Sequence, residues 1–288
     1  MLNKLVVIGV GLIGGSFALD LKRAGLVCEV VGVGRSAENL ERALQLQVID
    51  RAETDARVAV ADADLVLLAT PVGQMGAVLA HIAPVLPRHT IVTDAGSTKR
   101  DVVALYRAHL ADSLDRCIPA HPIAGSDLSG AAAARYGLFE QRNVVLCPLA
   151  ETAVEAKERV AALWSACGAN IVTLDAARHD AVFAAVSHLP HLLAFAYMNS
   201  VLDRPDADLC LELAATGFRD FTRIAGSHPE MWRDIALANR TGLLADLKGF
   251  RAELDRLIVQ LEVSDAAAMT DRFARASTAR AGWGKRKK

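Results

Sequence analysis

Leu5-Val6-Val7-Ile8-Gly9-Val10-Gly11-Leu12-Ile13-Gly14-Gly15-Ser16 is a β-branched run that breaks on glycine and restarts as a helical pattern. A strand feeding a G-x-G-x-x-G turn that leads straight into a helix is the context in which this spacing marks a dinucleotide site. Gly9 permits the tight turn, Gly11 lets a pyrophosphate approach the backbone, and Gly14 lets the helix pack closely on the strand. The first helical residues, Leu12 and Ile13, then present free N–H groups and a partial positive charge to a phosphate. A glycine-rich turn without a ligand is the bland alternative.

Outward from the turn the same alternation repeats. Strands are predicted at residues 4–8, 29–33, 65–69, 90–94, 117–119, 143–147 and 171–173, from short apolar runs bounded by polar and glycine positions. Helical periodicity fills the intervals at 16–24, 37–46, 72–86, 99–109 and 152–167. Strand, helix and parallel strand in succession predict an α/β fold with helices on both faces of a parallel sheet. Past about residue 175 the alternation stops, and residues 178–201, 209–214, 229–239, 241–262 and 264–276 carry helical pattern. Two closely abutting domains are expected, a dinucleotide-binding one over 1–175 and an all-helical one over 176–288. Within the latter, Leu243, Leu244, Leu247, Phe250, Leu254, Leu257, Ile258 and Leu261 recur at helical spacing. That stripe predicts a buried helix face, with a subunit interface as the alternative.

The 288 residues are 52% hydrophobic and 23% charged, a globular profile, and 32 Lys+Arg against 33 Asp+Glu leave a net charge of −1. Without a basic surplus the electrostatic case for a nucleic acid or an anionic membrane fails. The basic run Gly284-Lys285-Arg286-Lys287-Lys288 is expected to be a solvated end. No apolar run is expected to approach the roughly 18–20 residues of a membrane span. Leu5-Val6-Val7-Ile8 is too short for the core of a secretion signal, so a cytoplasmic location with no membrane partner is expected. Cys28, Cys117, Cys147, Cys167 and Cys210 are widely spaced and mostly in apolar stretches, as expected of reduced packing residues.

The second predicted strand ends in Gly32-Val33-Gly34-Arg35-Ser36. An NAD-binding domain usually places Asp or Glu here for the ribose hydroxyls, and that acid would repel a 2′-phosphate. Arg35 and the Ser36 hydroxyl could hold one instead, so NADP is favoured, while NAD stays open because a guanidinium can also stack on adenine. Thr70-Pro71, at the end of another predicted strand, is placed beside the nicotinamide half of the cofactor.

Two further segments follow predicted strand ends, where ligands collect. One is Thr93-Asp94-Ala95-Gly96-Ser97-Thr98-Lys99; the other, residues 120–130, begins Ala120-His121-Pro122 and is expected as a polar, glycine-rich loop. A lone histidine is commonly a satisfied structural residue, but His121 at a strand end is assigned to the chemistry. In the helical part, Ser187-His188-Leu189-Pro190-His191 sets two imidazoles three residues apart, and Pro190 is expected to kink or start a helix. His179 could add a third nitrogen, yet no Cys or carboxylate cluster completes a ligand set, so no metal is expected. Arg223, within residues 217–225, sits in an otherwise apolar domain and requires a carboxylate, from Asp220 or a bound anion; Trp232 lies nine residues farther on.

Taken in order, residues 9–16, 94–99, 121–125, 179–180, 187–191 and 218–225 resemble the prephenate/arogenate dehydrogenase family of tyrosine biosynthesis, over about residues 5–262. The resemblance implies a Rossmann-type parallel sheet domain followed by an all-α helical dimerisation domain. It implies NAD(P)-dependent oxidative decarboxylation of prephenate and/or arogenate, giving 4-hydroxyphenylpyruvate or tyrosine, by a homodimer. His121 becomes the catalytic base and Ser97 the catalytic hydroxyl that hydrogen-bonds the substrate or the imidazole. His191 and Arg223 become substrate-binding residues, with His188 and Trp232 beside them. Cofactor contacts fall on Gly9, Gly11, Leu12, Ile13, Gly14, Arg35, Ser36, Thr70 and Pro71.

The chain departs from many relatives at Ile123, where they have Met, and at Asp127, where they have Glu. A regulatory domain or fused mutase is not expected, so any feedback by tyrosine would act within the two domains. Glu212 or Asp220 could meet the ammonium that distinguishes arogenate from the ketone of prephenate, and the choice of substrate stays open. The alternatives are another Rossmann-plus-helical dehydrogenase, of β-hydroxyacid or imine reductase type, or a non-catalytic nucleotide sensor. The former commonly uses a lysine in the helical domain, and none occurs there before Lys248. Intact Ser97, His121, His191 and Arg223 argue against the latter.

Overall fold

Strand β1 (Leu2–Ile8) is buried at every position but Asn3, as an apolar run between two helical layers must be. The computed structural model describes residues 1–126 and 128–286; Asp127 and the last two lysines of the basic tail, Lys287 and Lys288, lie outside the described residues. β1 pairs in parallel with β2 (Val27–Val33) on one side and β4 (Leu65–Leu68) on the other. With β3 (Arg51–Glu53), β5 (Ile91–Asp94) and β6 (Cys117–Ile118) they form a six-stranded parallel sheet of order β3-β2-β1-β4-β5-β6. Connections run outward from β1 in both directions, so a crevice opens beyond the carboxyl ends of β1 and β4.

The crossovers are α1 (Leu12–Arg23), α2 (Ala37–Gln45), α3 (Ala56–Val60), α4 (Val72–Ile82) and α5 (Arg100–His109). Strand side chains alternate between faces. Leu5, Val7, Leu65 and Leu67 join one core with Phe17 and Trp164, while Val6, Ile8, Val66 and Leu68 join the other with Met75 and Leu79.

A second sheet stands beside the first. β7 (Ala120–Pro122) is antiparallel to β8 (Asn143–Leu146), which is parallel to β9 (Asn170–Thr173) across α6 (Val154–Ala166). The start of the loop expected over 120–130 is thus a strand, and Pro122 is tolerated because β7 is an edge.

Beyond β9, α7 (Ala176–Phe183), a π-turn (Ala184–His188) and α8 (Leu189–Leu202) run on as one helix. Pro190 stands in the first turn of α8, as expected of a helix start, but does not interrupt the longer run. The π-turn widens so that the Leu189 N–H reaches back to the Ala184 carbonyl, which accommodates the N–H that proline lacks. Residues 176–202 are also long and apolar enough to cross a membrane by length and composition, with mean hydropathy 1.5, contrary to the expectation that no run comes close. Asp180 within the helix makes hydrogen bonds to the start of α5, and Phe195 packs against the core around Met75. α9 (Ala207–Glu212), α10 (Thr216–Thr222) and α11 (Pro229–Ala238) follow; Trp232 and Ile235 of α11 pack into the core beside α4.

Met1–Arg240 forms one compact unit, holding both sheets and α7 to α11, and the chain from Thr241 onward forms a second. In the latter, α12 (Arg240–Glu262) and α13 (Ala266–Arg286) are tied by Arg272, which pairs with Glu253 and donates to Gln260 at 3.3 Å. The stripe predicted to be buried is mostly open: Leu244, Phe250, Leu254, Ile258 and Leu261 are exposed and only Leu243 is buried. All five cysteines are free thiols; Cys117, Cys147 and Cys167 are buried, Cys210 is half-buried and Cys28 is exposed.

Candidate active site

At the nucleotide end, three glycines answer three different constraints. Gly9 has φ +102°, and a Cβ there would lie 2.6 Å from the Ala69 carbonyl oxygen. A Cβ on Gly14 would lie 2.6 Å from the Gly9 carbonyl oxygen and 2.7 Å from Val7. Gly11 has no heavy atom within 4 Å of the Cβ position, so only a group from outside the chain requires its bareness.

Gly9, Gly11, Arg35, Ser36, Thr70 and Pro71 line one pocket of about 620 Å³, within the range of small-molecule sites. Leu12, Ile13 and Gly14 do not line it. Leu12 is buried in the core and Gly14 packs on β1, so their part falls to the backbone N–H groups at the start of α1. Ser36 caps α2 by accepting from the Asn39 N–H at 3.1 Å, which leaves its own proton to donate. Arg35 is exposed and makes no ion pair among the described residues.

Asn39, which sequence reasoning missed, clamps the pocket. Its Nδ2 donates to the Val10 carbonyl at 2.7 Å, and its Oδ1 accepts from the Ala131 N–H at 2.8 Å. The Thr70 hydroxyl is buried without a hydrogen-bond partner, a polar group that a bound ligand would satisfy. The bare Gly11, the orphan Thr70 hydroxyl and the free cation of Arg35 fit a dinucleotide.

The turn that carries Ser97 is built on a buried ion pair. Asp94 at the end of β5 and Lys99 are both fully buried and in contact. Asp94 also accepts from the Gly96 N–H at 2.8 Å and the Ala120 N–H at 3.1 Å, which ties this turn to β7. Burial pushes the Asp94 pKa up, while Lys99 and the two N–H groups pull it down. Breaking such a pair leaves an uncompensated interior charge, at a cost of about 3–5 kcal/mol. Ser97, held in this turn, is half-buried.

His121 lies in β7 opposite Val145 and is 8% exposed. Its Nδ1 is 2.9 Å from Nε2 of His179, whose Nδ1 is 2.8 Å from Oδ1 of Asp180. Asp180 accepts in addition from the N–H groups of Lys99 at 2.8 Å and Arg100 at 2.9 Å. Phe183 closes the pair of rings, with centroids 4.9 Å from His121 and 4.5 Å from His179. Burial pushes the His121 pKa well below 6.5, and His179, Lys99 and His188 push it the same way, so the ring is neutral at pH 7.

His188 and His191 come from the π-turn and the first turn of α8. His188 was expected among the substrate contacts, but it is 1% exposed and its Nδ1 is 3.1 Å from Nδ2 of Asn239, which also donates to the Asp180 carbonyl at 2.8 Å. Burial dominates and lowers the His188 pKa to about 4, against the nearby Ser97 carbonyl, which favours a proton on the ring. His191 is half-buried and stacks on Trp232, centroids 3.5 Å apart at 18°. Burial lowers the His191 pKa and the nearby Arg223 cation lowers it further.

Arg223, exposed just after α10, thus shares a neighbourhood with His191 and Trp232, while His188 lies close enough to influence both His121 and His191. Predicted residues from the sheet and from the helices are in one connected group. Asn239 carried no signal in the sequence, being a lone amide after a helix. Such a group can take a proton at a neutral imidazole and hold an anion at a guanidinium, next to a pocket fit for a dinucleotide.

Residues 17–173 match the family model for the nucleotide-binding domain of prephenate dehydrogenase, and residues 175–275 that for its dimerization domain. The cyclohexadienyl dehydrogenase of Zymomonas mobilis is 34% identical over 280 residues, covering 96% of this chain and 95% of that protein. The crystal structure of prephenate dehydrogenase from Aquifex aeolicus, in complex with hydroxyphenyl propionate and NAD+, superposes with a TM-score of 0.91 at 30% identity, covering 98% of each chain. Arogenate dehydrogenase from Synechocystis superposes with a TM-score of 0.81 at 29% identity, covering 97% of this chain and 99% of that one.

Proposed function

Since the chain belongs to the prephenate/arogenate dehydrogenase family, as an NAD(P)-dependent oxidoreductase for oxidative decarboxylation of a cyclohexadienol, we propose that His121 is its general base and Ser97 its catalytic hydroxyl. The observation that carries this assignment is a buried, neutral imidazole fixed in a strand, beside the turn that holds Ser97. His191 and Arg223 hold the substrate, Arg223 through a fork suited to a carboxylate. Trp232 stacks behind His191 as a wall, and His188 supports the group from beneath.

Bound at Gly9, Gly11, Arg35, Ser36, Thr70 and Pro71, with the N–H groups of Leu12, Ile13 and Gly14 toward its phosphates, an oxidised nicotinamide dinucleotide would supply the hydride acceptor. His121 takes the proton of the ring hydroxyl as that carbon loses hydride and becomes a carbonyl. The ring carboxylate departs as carbon dioxide, its electron pair runs through the ring to the oxygen, and that oxygen recovers the proton as a phenol. Ser97 orients the hydroxyl against the imidazole throughout.

The finer assignments follow from the same residues. Arg35 and Ser36 favour NADP through a 2′-phosphate, with NAD still accommodated. The division near residue 175 separates cofactor from substrate and dimerisation functions, and the exposed stripe on α12 supports a homodimer, located in the cytoplasm. Glu212 and Asp220 are both exposed acids in the helical segment and stand as the groups available to an arogenate ammonium, with the choice of substrate open. Incubation with prephenate or arogenate and each oxidised cofactor, following reduced nicotinamide by absorbance, tests the reading. Turnover of at least one pair is expected, and inertness toward all four would overturn it.

A further inference from the structure

The geometry points to His179 and Asp180 as positioning residues that hold His121 in the one tautomer whose Nε2 is bare, and that share the charge arriving with the substrate's proton. The inference rests on His121 being the base, but the hydrogen bonds that carry it exist without substrate.

An ionised carboxylate only accepts hydrogen bonds. Asp180 therefore fixes a proton on Nδ1 of His179, 2.8 Å away. The neutral His179 ring then has only Nε2 to accept with, and that atom faces Nδ1 of His121 at 2.9 Å. Nδ1 of His121 must be the donor, so its lone pair is on Nε2. Reversing any one donor would reverse them all.

The surroundings keep this direction fixed. Burial opposes the charge on Asp180, yet the N–H groups of His179, Arg100 and Lys99 outweigh it and hold the carboxyl below its usual range. Burial likewise keeps His179 neutral, against the pull of Asp180. The groups facing His121 from other elements are Lys99, on the turn before α5, and His188, on the π-turn, and both disfavour a positive ring. Asp180 is the anion at the far end of the hydrogen-bonded chain, and Asp94 is the one paired with Lys99. When Nε2 takes the hydroxyl proton, the imidazolium charge is shared through one N–H to His179 and through the next to Asp180, and no proton leaves the chain.

The test reads the tautomer directly, by nitrogen NMR of histidine-labelled, unliganded protein at about pH 7.5, with His121→Asn identifying the signals. A pyridine-like Nε2 on His121 is expected; a protonated, pyrrole-like Nε2 would overturn the inference. In Asp180→Asn the anion is lost and the amide nitrogen has no acceptor, because the Lys99 N–H and His179 face one oxygen position and the Arg100 N–H the other; the fixed direction weakens and a pyrrole-like Nε2 on His121 should gain population. Its kcat should fall by about 10³ to 10⁴, as when an amide replaces the carboxylate that orients a catalytic imidazole, with KM within about threefold.

His179→Gln can still accept from His121 and donate to Asp180, so it should retain at least about tenfold more kcat than His179→Phe, which can do neither. Equal kcat in those two variants would also overturn the inference, whether or not Asp180→Asn folds. The expected tautomer in a protein that turns over neither substrate would support the hydrogen-bonded chain and reject the assigned reaction.

Discussion

Asn239 donates its side-chain amide to Nδ1 of His188 at 3.1 Å, and the same nitrogen reaches the Asp180 carbonyl at 2.8 Å. A carbonyl partner fixes which end of the amide faces inward, so Nδ1 of His188 is an acceptor and its proton is on Nε2. Asn239→Ala leaves Nδ1 of His188 without its donor, while the Asp180 carbonyl keeps the Ala184 N–H, and the buried, unpaired ring nitrogen should cost about 1–3 kcal/mol in urea unfolding. An unchanged midpoint would remove Asn239 from the supporting framework.

The glycine turn separates folding from binding. Gly14→Ala forces a Cβ to within 2.6 Å of the Gly9 carbonyl oxygen, and overpacking of this kind should destabilise by about 1–3 kcal/mol. Gly11→Ala meets only open space and should leave stability within about 0.5 kcal/mol of the parent. It should nevertheless weaken NAD(P) binding about tenfold or more, measured by calorimetry on the folded variant. Equal cofactor affinity in Gly11→Ala and the parent would show that the pyrophosphate lies elsewhere.

Kinetics distinguish the imidazole from the guanidinium. His121→Asn should lower kcat by about 10²-fold or more with little change in KM, the signature of a proton acceptor. Arg223→Ala should raise the KM for prephenate or arogenate about tenfold or more and move kcat less, the signature of an anchor. Undiminished turnover in His121→Asn contradicts its role as the base.

Cofactor choice should turn on Arg35. Exchange for alanine is expected to raise the KM for NADP by about tenfold, through loss of a charge-assisted contact, and to leave that for NAD within about threefold. Should the parent enzyme already prefer NAD clearly, the assignment of Arg35 to a 2′-phosphate fails.

Acid should loosen the fold before the carboxylates titrate. Burial lowers the pKa of His121, His179, His188 and His191 below 6.5, to about 4 for His188. Unfolding returns each ring to about 6.5, so below that pH the unfolded chain binds more protons. Their stabilisation is therefore complete above about pH 6.5 and declines as pH falls toward the folded values. For His188 alone, the span from about 6.5 to about 4 corresponds to roughly 3 kcal/mol. Urea midpoints should fall steadily from pH 7.5 to 5; a flat profile would falsify the neutral, buried state of these rings.

The parallel sheet was legible because each of its central strands buries both faces and so reads as an apolar run. β3 was not, since Arg51 and Glu53 are half-buried and Arg51 is engaged with Glu29 and Glu53 rather than packed. α3 spans only five residues, too few for a period to show. β7 was missed because its partner, β8, begins more than 20 residues later and nothing local marks the pairing. In the site, histidines, serine and arginine announced themselves by type and place, whereas Asn39 and Asn239 act through backbone carbonyls that leave no trace in composition. The α12 stripe was visible as a pattern, but a pattern cannot say whether the same chain or another covers it.

The antiparallel ladder between β7 and β8 has an evolutionary corollary. His121 is anchored by main-chain pairing at Val145, whereas Ala124, Gly125 and Ser126 just beyond it lie outside any strand. Lineages, or protein engineers, can therefore rewrite those neighbours while the imidazole stays where it is.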